Sequence, residues 1–530
     1  MISHWRRPTS TLLAALIAAA GPTACGAPPR PDDVLVLASG ADLESPNPLL
    51  TTHPLSRQVQ RYVLLVTLLR ADSALVPRPY FARRWQWSGD HRTLVLTLAD
   101  DLYWHDGRRT TARDAVFTLL AARDPATGFG RAAELAALDT AVALDDTTLS
   151  LRFRAAPAAL PPLLVELPLL PAHRFAGVPR AAMRQASFEQ APVGNGPFRF
   201  AGRRRGASWT FVRDERFPAR MGGPPALRAF VVAVIDEATT KFAGLASGEL
   251  DVAGISPAMA ALATRDPTLR LITYPVLFGT ALCFNTTRPP FDDARVRRAV
   301  SRAIDRRRIV QVGLEGYGRP SASPVPPDSP DAWQPAVAYD TLAADRLLDD
   351  AGWRRGADGM RRRGGQLLEV TLLSVGSGDN VTEQLLQADL AARGLVLHLR
   401  QTEMGAFLTA ARSATRPYDL LLAGVPGDLS HAEVQAMFAS AQRGGSLDYT
   451  GYHSAPLDRL LQEAAGASTA GRPGAWRAVQ QALDTLAPAT WIFHARGVQG
   501  MSRRVRGVRM DLRGELVTLH DWTLAPRGRE

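Results

Sequence analysis

Apolar and polar residues alternate with the period of a strand at residues 34–38, at Leu94, Leu96 and Leu98, and through "DDTTLSLRF" (145–153). Similar short runs at 198–200, 367–375 and 395–400 predict further strands. Helical signals lie between them. Thr111-x-x-Asp114 has the form of a capping box; Val116, Phe117 and Leu120 supply the apolar side, and Asp124-Pro125 ends the helix. Asn380 with Glu383 opens a helix over 380–393, and Gly394 closes it. "LRAFVVAVIDEATTKFAGLASGELDVAG" (227–254) reads strand, helix, strand, and 367–400 repeats that layout. These βαβ units predict an α/β fold with mixed sheets.

"FNTTRPPFDDARVRRAVSRAID" (284–305) predicts an amphipathic helix capped by Asp292 or Asp293. Val296, Ala299, Val300, Ala303 and Ile304 recur at three and four residues and form its buried face. Arg295, Arg298, Arg302 and Arg306 are expected on the solvated side. "APVGNGPFRF" (191–200) brackets a tight turn with glycines and prolines, and the Pro/Ser-rich stretch 318–332 is a surface connection.

A chain of 530 residues exceeds one compact core and implies two or three domains. The net charge of +11 would fit an anionic partner, but Lys241 is the only lysine and the arginines are scattered among 51 acids. With no basic module interleaved with aromatics, no nucleic-acid partner is expected. H-E-x-x-H, G-x-S-x-G and Walker patterns are all missing, and His431, His453 and His494 are dispersed. His105-Asp106 reads as a turn. The expectation is a protein that is not an enzyme and that uses neither metal nor cofactor.

The N-terminus changes the picture. Arg6 and Arg7, an apolar run over 12–20 and small residues before Cys25 have the layout of an export signal over 1–24. Ala24-Cys25-Gly26 resembles a bacterial lipobox, with Pro22 where Leu or Val is usual, which implies lipidation of Cys25; ordinary secretion with Cys25 incidental is the alternative. No later segment has the apolar length to cross a membrane. The expected location is extracytoplasmic, tethered by lipid, with Cys283 left single.

Five stretches, in order, resemble motifs of the bacterial extracellular solute-binding proteins of family 5, the peptide/nickel-binding components of ABC importers. They are "LADDLYWHDGRRTTARDAVFTL", "PVGNGPFRF", "LASGELDVAG", "FNTTRPPFDDARVRRAVSRAID" and "YDTLAADRLLDDAGW". The resemblance implies a two-lobed periplasmic-binding-protein fold (type II, cluster C) with an additional small domain and a hinge. Lobe I would comprise 25–52, 190–280 and 490–530, the extra domain 53–189 and lobe II 281–489. It also implies a monomer that binds a peptide or a related amine-bearing solute in an interlobe cleft and hands it to a membrane permease. The alternatives are a nickel or metal-chelate binder of the same family and a secreted hydrolase.

The resemblance further implies site residues. The family motif G-W-x-(A/G)-D carries an aspartate that pairs with a peptide ammonium; here "AGVPGD" ends in Asp428, with Val425 at the tryptophan position. Asp428 reads equally as a helix cap for "DLSHAEVQAMF". Asp42, Glu44 and Ser45 fall on a cleft-lining loop, Phe117 on a helix whose aromatic touches peptide in relatives, and Phe278 and Thr280 on the strand entering lobe II. A peptide carboxylate wants a cation. Arg412 is the candidate, the family's arginine position being Leu422 here.

Overall fold

The computed structural model describes residues 30–51, 53–334 and 339–527. The export signal and Cys25 lie outside them. The predicted elements form close to their expected bounds: strands Val34–Ser39, Thr93–Leu98, Thr148–Phe153, Glu369–Val375 and Val396–Thr402, and helices Ala112–Arg123 and Val381–Ala391. Thr111 and Asp114 make the reciprocal capping box, Thr111 N donating to Asp114 Oδ2 at 2.9 Å. Asn380 Oδ1 accepts from the backbone of Thr382 and Glu383.

One large mixed sheet organises the chain. Its strands run Val396–Thr402, Glu369–Val375, Leu420–Pro426, Leu269–Phe284, Ala489–Ser502, Val252–Gly254, Val34–Ser39, Ala229–Val234, Ser208–Arg213 and Phe198–Arg204. The strands of the 367–400 unit pair directly and in parallel, Glu369–Val375 with Val396–Thr402, whereas those of the 227–254 unit flank Val34–Ser39, which is parallel to both. The two long central strands, Leu269–Phe284 and Ala489–Ser502, are antiparallel and common to both halves. Their register shifts between Pro275 and Gly279, so the ladder is interrupted where the chain passes from one half to the other. On the far side of that break both faces are covered: Leu282 and Phe284 enter one apolar cluster, Ala281 and Cys283 another.

A second, four-stranded sheet holds Ala82–Trp87, Thr93–Leu98, Thr148–Phe153 and Leu138–Ala143. Its Leu94, Leu96 and Leu149 belong to one continuous apolar cluster with Leu35, Phe198, Trp209 and Phe230 of the large sheet. The glycine pair of "PVGNGPFRF" shows how close this packing is. Leu64 O accepts from the backbone N of both Asn195 and Gly196. A Cβ at Gly196 would lie 2.6 Å from Val63 O and 2.7 Å from Leu64 C.

Arginine behaves differently from the expectation in one respect. Arg306 is buried, not solvated: it donates to Trp491 O at 2.7 Å and Ser301 O at 2.8 Å, while Arg297 donates to Phe291 O and Leu486 O, each at 2.7 Å. A guanidinium has five donors in a rigid fork, so it can satisfy several orphan carbonyls at once where a helix end meets a loop. The periodicity of apolar residues carries no trace of that use.

Because Cβ insertion at Gly196 meets backbone and not a movable side chain, Gly196→Ala is expected to cost about 1–3 kcal/mol. Gly202→Ala, where nothing lies within 4 Å, serves as the control. Thermal melts of the two variants check this: equal midpoints would refute the close-approach explanation.

Candidate functional site at the interlobe seam

Asp428 follows the strand Leu420–Pro426, on the loop that leads into the helix Ala432–Phe438. Gly427 N donates to Leu277 O at 2.8 Å, which fixes the loop to the long hinge strand beside its register break. The two oxygens of Asp428 have separate tasks. Oδ1 accepts from Ser430 N (2.8 Å), Ser430 Oγ (2.6 Å) and Ala432 N (3.2 Å), shaping the helix entry. Oδ2 faces across the seam, 3.4 Å from Arg131 Nε. Capping and cation pairing therefore coexist in one carboxylate.

Arg131 comes from the segment that carries the second sheet, and it is the hub of an ionic cluster. It pairs with Glu134 through Nε and with Glu166 through Nη2 at 2.7 Å, and Nη2 donates to Ser430 Oγ at 3.1 Å. Arg61 donates to the Glu166 carbonyl at 2.9 Å and its Nη2 lies 3.5 Å from Glu166 Oε1. Between the two polar contacts Leu429 packs against the apolar cluster of the opposite half, and with Arg61, Tyr62, Arg70, Tyr80 and Val165 it lines a narrow cavity there.

The loop is braced from its own side as well. Arg472 donates to Leu429 O at 2.9 Å and to Asp331 Oδ2 at 2.7 Å, and His431 Nε2 meets the same Asp331 oxygen at 3.0 Å. His431 sits in the left-handed region at φ 59°, with its ring edge-on to Trp476. Asp428 N donates to Glu433 Oε2 at 3.3 Å.

The charges divide the acids into two groups. Burial alone would raise the Asp428 carboxyl, but Arg131, the Ser430 hydroxyl and Arg57 outweigh it and hold it far below the usual carboxylate range. Burial raises Glu433 well above its ordinary value, and the neighbouring Asp428 charge pushes it the same way. One acid is thus kept ionised by a cation from the other half, while its neighbour is pushed toward the protonated form.

The other sequence candidates are spread over both halves. Phe278 is 40 % exposed on the hinge strand and its ring lies over Gly424, where a Cβ would come within 2.3 Å of it. Thr280, two residues on, shares that face and pairs with Gly424. Both accompany the Asp428 loop. Val425 is buried in the core, so the motif's tryptophan position points away from the seam. Asp42 is taken up by Trp209 Nε1 at 2.6 Å and Arg203 Nη2 at 2.8 Å. Ser45 is buried and donates to Glu189 at 2.7 Å; Glu44 accepts from Thr51 Oγ1 and from His53 N. Phe117 stacks on Phe175 and lies under the Arg180 guanidinium. Arg412 is exposed at the end of the helix Met404–Ala411. Arg131, Glu166, Arg61 and Arg57 were not among the candidates, since no local pattern ties them to Asp428 some 260 to 370 residues away.

The model of the bacterial extracellular solute-binding proteins, family 5 (middle), matches residues 76–445. The chain belongs to this family. Among full-length relatives, protein XP55 of Streptomyces lividans is 27% identical over 540 residues, covering 97% of this chain and 96% of that one. A probable di/tripeptide-binding protein of Pseudomonas aeruginosa is 26% identical, covering 87% and 90%. Two solved structures share the two-lobed fold. NikZ from Campylobacter jejuni in complex with Ni(L-His) aligns with a TM-score of 0.79 at 22% identity, over 93% of this chain and all of that one. The oligopeptide-binding protein AppA from Bacillus subtilis, in complex with a nonapeptide, aligns with a TM-score of 0.77 at 22% identity, over 93% and 99%. Membership places this chain among extracellular solute-binding proteins. Among the described residues, no helix is long and apolar enough to cross a membrane.

The upward shift of Glu433 makes a pH prediction. A carboxyl with a raised folded-state value keeps its proton after the unfolded chain has lost it, so stability falls as pH rises above the ordinary glutamate value near about 4.3. Glu433→Gln keeps an acceptor for Asp428 N and removes that dependence. Melts between about pH 5 and pH 8 are expected to fall less steeply in the variant; parallel curves would contradict the assignment.

Proposed function

We propose that this family member is the extracytoplasmic receptor of an ABC importer, taking up a peptide or a related amine-bearing solute between its lobes and presenting it to the permease. The observation that carries the reading is the Oδ2 atom of Asp428, a charged carboxylate oxygen on one lobe turned toward the other at the seam. Burial of a charge is offset best by a cation; Arg131 shows that this oxygen accepts one, and a peptide's terminal ammonium is another. Phe278, exposed next to the same loop, offers a ring face to the solute's first side chains, and Thr280 a hydroxyl. The peptide-binding relatives support this choice of solute class.

The lobes of this reading are 25–52 with 190–280 and 490–530, and 281–489, with 53–189 as the extra domain seated on the first. The uninterrupted apolar cluster running from that domain into the large sheet supports its attachment there. The protein acts as a monomer and grips its solute without transforming it. Cys25 carries the lipid that holds it at the membrane. Asp42 and Ser45 act as supports of the first lobe, because their side chains are committed to Trp209, Arg203 and Glu189.

The test is calorimetric titration of short peptides against their N-acetylated forms. A free amine is expected to bind at least about tenfold more tightly, and Asp428→Asn is expected to erase the difference, since a buried charged pair that loses one partner is heavily weakened. Equal affinity for blocked and free peptides would remove the amine from the recognition. Binding of a nickel–histidine complex with no peptide binding would move the protein to the chelate class. Separately, Cys25→Ser is expected to shift the protein from the membrane fraction to the soluble one; an unchanged distribution would contradict lipid anchoring.

A further inference from the structure

The cation that faces Asp428 in this structure is part of the protein. We propose that Arg131 is a built-in competitor for the solute's amine: its pair with Asp428 across the seam latches the lobes shut, and thereby sets how strongly an amine must bind to displace it. This rests on the reading of Asp428 as the amine anchor.

Three features support the latch. The contact is made by a short projecting tripeptide, Asp428-Leu429-Ser430, and each of its residues reaches the other side: Asp428 Oδ2 and Ser430 Oγ to Arg131, Leu429 into the apolar cluster. The pair spans the lobes, so it exists only when they are closed. Each partner also retains satisfaction when the lobes part. Arg131 keeps Glu134 and Glu166, both on its own side, and Asp428 keeps the Ser430 and Ala432 donors of its own loop. Breaking the pair on opening therefore strands no charge without local partners, and the latch is reversible.

The competition follows from charge. Asp428 Oδ1 is committed to its own loop, leaving one oxygen for a cation. With the Arg131 guanidinium 3.4 Å from that oxygen, an ammonium brought to it meets a like charge at close range, so each cation disfavours the other there. The apparent affinity of any amine-bearing solute is reduced by the fraction of molecules held in the latched state. Arg131 does not have to leave its own lobe to yield, because its bonds to Glu134 and Glu166 hold it there when the pair with Asp428 opens. This separates Arg131 from an ordinary structural arginine, whose removal would weaken every function of the site together.

The experiment compares wild type, Arg131→Gln and Asp428→Asn as full-length purified protein by two readouts. Small-angle X-ray scattering without solute reads the latch: both variants are expected to have a larger radius of gyration than wild type, and profiles superposable on wild type overturn the latch. Calorimetry with tri-alanine and N-acetyl-tri-alanine reads the competition. Arg131→Gln is expected to bind tri-alanine about tenfold or more tightly than wild type, with Asp428→Asn shifting in the opposite direction. A general loss of fold would weaken binding in both, so opposite signs exclude damage. Unchanged or weaker tri-alanine binding by Arg131→Gln overturns the competition. Equal tri-alanine binding by wild type and Asp428→Asn, or no binding by any of the three, overturns the amine anchor itself, while the scattering comparison still decides the latch. Arg131→Lys, which keeps a charge but loses the fork, is expected to restore compact scattering in part; scattering identical to that of Arg131→Gln would overturn the ionic origin of the latch.

Discussion

A carboxylate closed between two lobes has to be matched by a cation, because taking an unpaired charge out of water costs several kcal/mol. That constraint governs the seam. Asp428 is ionised there, and its partner comes from the opposite side of the cleft. Without that cation Asp428 keeps only the Ser430 and Ala432 donors of its own loop. In the proposed reading, solute class and lobe closure are tied to the same oxygen atom.

The fold makes this possible through the two long strands shared by both halves. Their ladder breaks between Pro275 and Gly279, and the Asp428 loop is fastened one residue before Phe278, through Gly427 N and Leu277 O. The charged loop is thus positioned by the element about which the lobes turn, while Arg472, Asp331 and His431 hold it from behind. The bracing fixes the loop from within its own half: Arg472 holds the Leu429 carbonyl, and Asp331 joins Arg472 to His431.

Much of this was legible in the sequence because it is local. Strand alternation, the Thr111/Asp114 box and the Asn380 cap depend on residues within a few positions of one another, and each appears where its pattern places it. The family motifs were legible for the same reason, and Gly194 and Gly196 show the physics beneath one of them, a backbone packed against another backbone. What could not be read was pairing over long separation. Nothing in the vicinity of Arg131 announces that it meets Asp428, and Arg306 looks like a surface arginine until its carbonyl partners are known. Of the two Asp428 readings, the helix cap is seen directly in the bonds of Oδ1, while Oδ2 faces Arg131, a cation of the chain itself that no local pattern announced.

The central claim is that Oδ2 of Asp428 is the atom on which a solute amine docks. A crystal structure of the protein soaked with a short peptide tests it most directly. The account predicts the peptide's terminal nitrogen within hydrogen-bonding distance of Asp428 Oδ2, with Arg131 held by Glu134 and Glu166 alone and its pair with Asp428 broken. A bound peptide whose amine lies elsewhere, with the Arg131–Asp428 pair intact, would contradict it.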